Sequence, residues 1–195
     1  MSQFNSQSAN RRRFLRQSVK TVATVGAATA ASGSFASALT APIYAPDRKL
    51  RLVNAHTWEK LDIVYWSAGD YVGESLNAIN ILMRDHRANE SIVMDVNLID
   101  DLYNLYGLLD TEERIHILSG YRTKATNAKL RTRSNGVAKY SLHMEGRALD
   151  ISIPNRNAKQ VRSAAMSMKS GGVGYYASSG FVHIDTGNVR NWSGS

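Results

Sequence analysis

A chain of 195 residues, 43% of them apolar, can bury one sizeable core and hardly two, so a single domain is expected. Cysteine is absent, which excludes disulfides, thiolate metal sites and a cysteine nucleophile and leaves His, Asp and Glu to hold any metal. The formal charge of +8 does not indicate nucleic-acid binding: Arg11, Arg12, Arg13, Arg16 and Lys20 lie before residue 39, where there are no acids, and the other 19 basic residues face 16 acidic ones. That near-balance is ordinary for a soluble domain.

In chain order, Asn10-Arg11-Arg12-Arg13-Phe14-Leu15-Arg16 resembles the twin-arginine export signal, Ser/Thr-Arg-Arg-x-Phe-Leu-Lys, with Asn10 and Arg16 as mild departures. A weakly apolar run from Val19 to Ala31 follows, too short for a stable membrane span, and then Ala36-Ser37-Ala38, a small-x-small cleavage site. Residues 1–38 are therefore expected to be a twin-arginine signal peptide and 39–195 a mature periplasmic domain. After a linker marked by Pro42 and Pro46, the β-prone runs Lys49 to His56 and Leu61 to Trp66 predict a hairpin around residues 57–60. Leu76, Ile79, Leu82 and Met83 recur at helical spacing between Val72 and His86, and Leu98, Leu102, Leu105 and Leu109 form a second stripe, with Asn97 as its expected cap. His86, near the end of the first helix, is read as structural. A short strand over Arg114 to Leu118 leads into Ser119-Gly120-Tyr121-Arg122. A helix with Ala125, Ala128 and Leu130 follows, then a basic loop from Arg131 to Lys139. A strand through Asp150 to Ile153, a helix from about Ala158 to Lys169, and two strands joined at residues 177–180 complete the pattern. Strands and helices in this order predict an α+β fold, a small antiparallel sheet backed by helices.

The chemistry concentrates in Ser141-Leu142-His143-Met144-Glu145-Gly146-Arg147-Ala148-Leu149-Asp150 and in Phe181-Val182-His183-Ile184-Asp185. Two histidines and a carboxylate are a common ligand set for a zinc ion that keeps one position open for water. Gly146 permits an unusual backbone conformation between His143 and Asp150, and the small Ala148 leaves room nearby. His183 and Asp185, two apart on a strand, point to the same face, so one can bind metal while the other handles a proton.

Ser141-x-His143-x-x-Gly146-x-Ala148-x-Asp150, with Ser119-Gly120-Tyr121-Arg122 upstream and His183 downstream, resembles the zinc D-Ala-D-Ala peptidases, which include VanX-type dipeptidases, D-Ala-D-Ala carboxypeptidases and phage endolysins. The likeness is nearest to the exported murein endopeptidases and extends over the whole mature chain, through Gly171 to Tyr176, His183 to Gly187 and Arg190-Asn191-Trp192. It implies a Hedgehog/D-Ala-D-Ala peptidase-like fold, Zn²⁺ held by His143, Asp150 and His183, and Arg122 on the scissile carbonyl oxygen, a role that demands a fixed cation beside the metal. Ser141 would orient the loop or the substrate. The implied substrate is the stem peptide of peptidoglycan, with no nucleic-acid partner. Its cross-links, meso-diaminopimelate bridges among them, would be the bonds cut. VanX-type enzymes carry an acidic general base three residues before the last zinc histidine, where this chain has Gly180, and some carboxypeptidases a histidine two before, where it has Phe181. Asp185 is the expected substitute and Glu145 a weaker one; the inverse arrangement, Asp185 as ligand and His183 as base, stays open. Tyr175, Tyr176 and Trp192 could line a groove or simply pack. A D,D-carboxypeptidase and a non-catalytic, zinc-containing wall-binding module are the alternative functions.

Overall fold

In the computed structural model, residues 46–194 except 135 are described; the predicted signal peptide lies outside them. Strand β1 (Arg48–Asn54) and strand β2 (Lys60–Ser67) form the expected hairpin, and β2 turns into the two-residue β3 (Asp70–Tyr71). Helix α1 (Gly73–Leu82) and helix α2 (Val96–Leu109) follow. The cap of α2 is Asp95, whose side chain accepts the Asn97 N–H, so Asn97 lies inside the first turn. Strand β4 (Ile115–Ser119) runs into α3 (Lys124–Arg131), capped by Thr123. A 3₁₀ turn (Leu142–Glu145) leads to β5 (Ala148–Ser152). Helix α4 (Ala158–Met168) begins with a capping box between Asn157 and Gln160. Three strands end the chain: β6 (Gly172–Tyr176), β7 (Phe181–Asp185) and β8 (Arg190–Gly194).

The strands form one sheet in the order β3-β2-β1-β4-β5-β7-β6-β8. The expectation of a small antiparallel sheet is corrected on two counts: the described residues form eight strands, and β1/β4 and β6/β8 pair in parallel. Both parallel pairs come from crossovers. Between β1 and β4 the chain makes β2, β3, α1 and α2. After β7 it passes β6 and adds β8 to the far edge of that strand.

The two faces of the sheet have different fates. Leu50, Leu52, Ile115, Ile117, Leu149, Ile151, Val173, Val182 and Ile184 pack with Ile79, Leu98, Leu102, Leu105 and Val161 of the helices in one core. Because side chains alternate along a strand, the residues between them on β5, β6 and β7 project from the other face, and a register shift after Ile117 on β4 brings Ser119 to that face as well. Ser119, Asp150, His183, Gly174 and Trp192 are successive partners across β4, β5, β7, β6 and β8, and so make one transverse row on that face. Ala148, Asp185, Gly172 and Arg190 make the next.

Candidate metal centre

The first row carries two of the expected ligands, and the 3₁₀ turn delivers the third. Gly146 ends that turn at φ 69°, and a Cβ on it would stand 2.8 Å from the Val93 carbonyl oxygen, so both its conformation and its packing require glycine. His143 is thereby held at 1% exposure. Its Nδ1 donates to the Gly120 carbonyl oxygen at 2.8 Å, which leaves the Nε2 lone pair facing inward. His183 is fixed in the opposite sense: Nε2 donates to Asp185 Oδ2 at 3.1 Å, and Nδ1 faces Asp150 Oδ1 at 2.9 Å.

Three ligand atoms therefore converge. His143 Nε2 lies 3.2 Å from His183 Nδ1 and 3.3 Å from Asp150 Oδ1. A tetrahedral ion with ligands at 2.0–2.1 Å separates them by about 3.3–3.5 Å, close to this triangle. With His183 neutral, its Nδ1 lone pair would confront a carboxylate lone pair, so the cluster calls for a cation between them, either a proton or a metal ion. The titration directions agree. Burial disfavours the charged form of His183, but hydrogen bonds to Asp150 and Asp185 outweigh it and raise its pKa. Burial would push Asp150 up, yet the two imidazoles hold it far below the usual carboxylate range. Burial lowers the pKa of His143, which favours the neutral imidazole that a metal requires.

Arg122 flanks the cluster. Its Nη2 donates to Asp150 Oδ2 at 2.9 Å and its Nε to Ser119 Oγ at 2.9 Å, with the side chain 12% exposed. Asp150 thus turns one oxygen to the imidazoles and the other to the guanidinium. Asp185 stands behind His183. Its side chain is fully buried, meets Arg190 through both oxygens at 3.0 and 2.7 Å, and accepts the Gly172 and Gly187 N–H groups. Burial opposes its ionisation, but His183, Arg190 and Gly187 hold its pKa well below the ordinary value. Trp192 closes the row, its ring 5.3 Å from that of His183 and its Nε1 donating to the Tyr176 hydroxyl at 3.2 Å.

The family model described as peptidoglycan L,D-endopeptidase MepK matches residues 43–192. The chain belongs to this family. It is 46% identical over 145 residues to the peptidoglycan L,D-endopeptidase MepK of Escherichia coli K12, an alignment covering 74% of this chain and 80% of the relative. It is 41% identical over 150 residues to the probable peptidoglycan L,D-endopeptidase MepK of Haemophilus influenzae, covering 75% and 80%. No solved structure matches. In this family member the positions where VanX-type enzymes and carboxypeptidases keep their base are otherwise used. Gly180 sits at φ 70° in the turn between β6 and β7, and Phe181 stacks on Tyr176 with centroids 4.4 Å apart.

Of the residues singled out in the sequence, His143, Asp150, His183 and Arg122 come together. Asp185 touches His183 but lies on the far side of its ring from Asp150. Glu145 is drawn to Arg147 at 3.3 Å, its side chain 57% exposed. Tyr176 and Trp192 lie beside the row, whereas Tyr175 packs against the core and beneath Arg162. His86 stacks on His56, with ring centroids 4.0 Å apart. Sequence reasoning missed the Gly120 carbonyl, Ser119 and Arg190 as functional groups. The first two stood inside a quoted motif, but a backbone acceptor leaves no side-chain signature. Arg190 stood inside the quoted tail Arg190-Asn191-Trp192, but nothing in that stretch pairs it with Asp185.

Proposed function

We propose that this chain is a zinc-dependent L,D-endopeptidase that hydrolyses peptide cross-links of peptidoglycan, with His143, Asp150 and His183 as metal ligands and Arg122 as the binder of the scissile carbonyl oxygen. The observation that carries this reading is the convergence of His143 Nε2, Asp150 Oδ1 and His183 Nδ1 within hydrogen-bonding distance of one another, with a guanidinium alongside. Two imidazoles and a carboxylate are a zinc set that leaves a coordination position free. When bound, zinc supplies Lewis-acid polarisation and a nucleophilic water at neutral pH.

The chain's own groups do the rest. Arg122 has five N–H donors, and its bonds to Ser119 and Asp150 leave others free to meet charge developing on a carbonyl oxygen. In so shielded a site such a donor is worth more than in water. Asp185, expected from the sequence as proton acceptor, is better suited by its buried pairing with Arg190 to orient the His183 ring and fix its tautomer. Tyr176 and Trp192 would wall one side of a groove for an extended stem peptide. The L,D designation of the relatives points to a bond between an L and a D centre, and meso-diaminopimelate, which carries both, is the bridge we favour. A Hedgehog/D-Ala-D-Ala peptidase-like fold, cleavage of residues 1–38 and twin-arginine export to the periplasm belong to the same proposal.

The absence of a base at Gly180 and Phe181 favours one rival, a wall-binding module whose zinc is structural. Purified sacculi incubated with the zinc-loaded mature protein, followed by muropeptide analysis, separate the readings. Loss of cross-linked dimers is expected. Loss of terminal D-Ala alone would indicate a carboxypeptidase, and binding without released products would indicate the module.

A further inference from the structure

We propose that Asp85, at the exit of α1 and outside the metal cluster, is the positioning residue for Arg122; this rests on the reading of Arg122 as the carbonyl-oxygen binder. Asp85 is 2% exposed. Its Oδ2 accepts both the Thr123 N–H at 2.9 Å and the Thr123 hydroxyl at 3.0 Å. Its Oδ1 accepts the Arg87 N–H at 3.0 Å and the Ala88 N–H at 3.4 Å. A carboxylate with both oxygens so occupied joins the turn after α1 to the residue that follows Arg122. Burial would raise its pKa, but hydrogen bonds from Thr126, Thr123 and Arg87 prevail and keep it ionised.

The neighbouring contacts make this junction rigid. Tyr121 N–H donates to the Met83 carbonyl oxygen at 2.8 Å, and Arg122 N–H to the His143 carbonyl oxygen at 3.1 Å. Gly120 packs so closely on Met83 that a Cβ there would stand 2.2 Å from the Met83 carbonyl oxygen. Thr123 Oγ in turn accepts the Thr126 N–H and caps α3. Residues 120–123 are therefore pinned to the segment 83–85 on one side and to the 3₁₀ turn on the other. The metal ligands themselves are held by β5, β7 and that turn. His143 also leans on the Gly120 carbonyl oxygen, but Gly120 and Tyr121 keep their own packing and hydrogen bond on Met83, so loosening Asp85 at Thr123 should move the guanidinium and leave the ligand triangle in place.

The test is Asp85→Asn in the full-length, zinc-loaded protein acting on purified cross-linked muropeptide dimers. An amide offers one acceptor and turns an NH₂ group against N–H donors, so Thr123 loses part of its anchorage. A displacement of about 1 Å can cost on the order of 100-fold in rate. We expect kcat to fall by about 10- to 100-fold, KM to change little, and zinc affinity measured by chelator competition to be unchanged. In an Arg122→Ala background the same substitution should cost nothing further. An equal loss in both backgrounds, or an undiminished kcat, overturns the proposal. An Arg122→Ala protein with parental kcat overturns instead the reading of Arg122 on which it rests. Should Asp85→Asn fail to fold, Thr123→Val and Thr123→Ser decide: a loss with valine that serine restores supports the anchor, and parental kcat with valine refutes it.

Discussion

An imidazole has two nitrogens, and the one turned toward the cluster determines what the residues around it are for. In His183 the inward nitrogen is Nδ1, because Nε2 is committed to a carboxylate that is itself held by Arg190. Asp185→Asn keeps an acceptor for Nε2–H but removes the charge that pairs with Arg190. Substitutions of a group that orients a metal-binding imidazole typically weaken metal binding by about 10- to 100-fold. The expected outcome is a matching loss of zinc affinity in chelator competition, with activity restored to near the parental level at saturating zinc. A rate that stayed far below the parent at saturating zinc would return Asp185 to the role of proton acceptor. The sequence already placed His183 and Asp185 on one strand face, since alternation needs only their spacing. It could not show which ring nitrogen faced which carboxylate, because that is set by where Asp150 and Arg190 sit around the ring, and spacing along the chain does not give this.

At the level of elements, the edge of the sheet beside the site depends on missing side chains. A Cβ on Gly174 would lie 2.7 Å from two ring carbons of Trp192, so β6 and β8 can pair with the indole between them only because that position is bare. Gly174→Ala should destabilise the protein by about 1–3 kcal/mol, as overpacking commonly does, and should reduce turnover by displacing the ring from His183. Thermal unfolding and muropeptide release measure the two effects. Gly107→Ala is the natural control: it sits in α2 with open space at the Cβ and should gain about 0.5–1 kcal/mol from reduced backbone entropy without altering turnover. Helices α1 and α2 were legible because their apolar stripes are periodic. Strand β8 was not, since Arg190-Asn191-Trp192-Ser193-Gly194 has no alternating apolar pattern and is a strand through its parallel pairing with β6. Parallel pairing in general cannot be read locally, because the partner lies beyond a crossover.

Across the whole molecule, one face of the sheet carries the candidate metal cluster and the other is covered by the helices of the core. A charge buried in that helical layer costs stability and contributes nothing to turnover. Asp101, on α2, is such a group, with 7% exposure. Burial raises its pKa, Ser170 opposes the shift only in part, and the charges of Asp100 and Asp95 add to it. Because the folded state holds this proton more tightly than the unfolded chain, stability declines as pH rises from the ordinary carboxylate value of 3.8 through the folded pKa, and the full penalty persists above it. Asp101→Asn removes the titration while preserving shape. The variant should unfold at a higher temperature than the parent at pH 7, and the gap should close as pH falls toward the ordinary carboxylate value. Its muropeptide turnover should be that of the parent. Thermal melts of the pair at matched pH provide the measurement, and a gap that stayed constant down to acid pH would mean that the gain came from packing rather than from the buried charge.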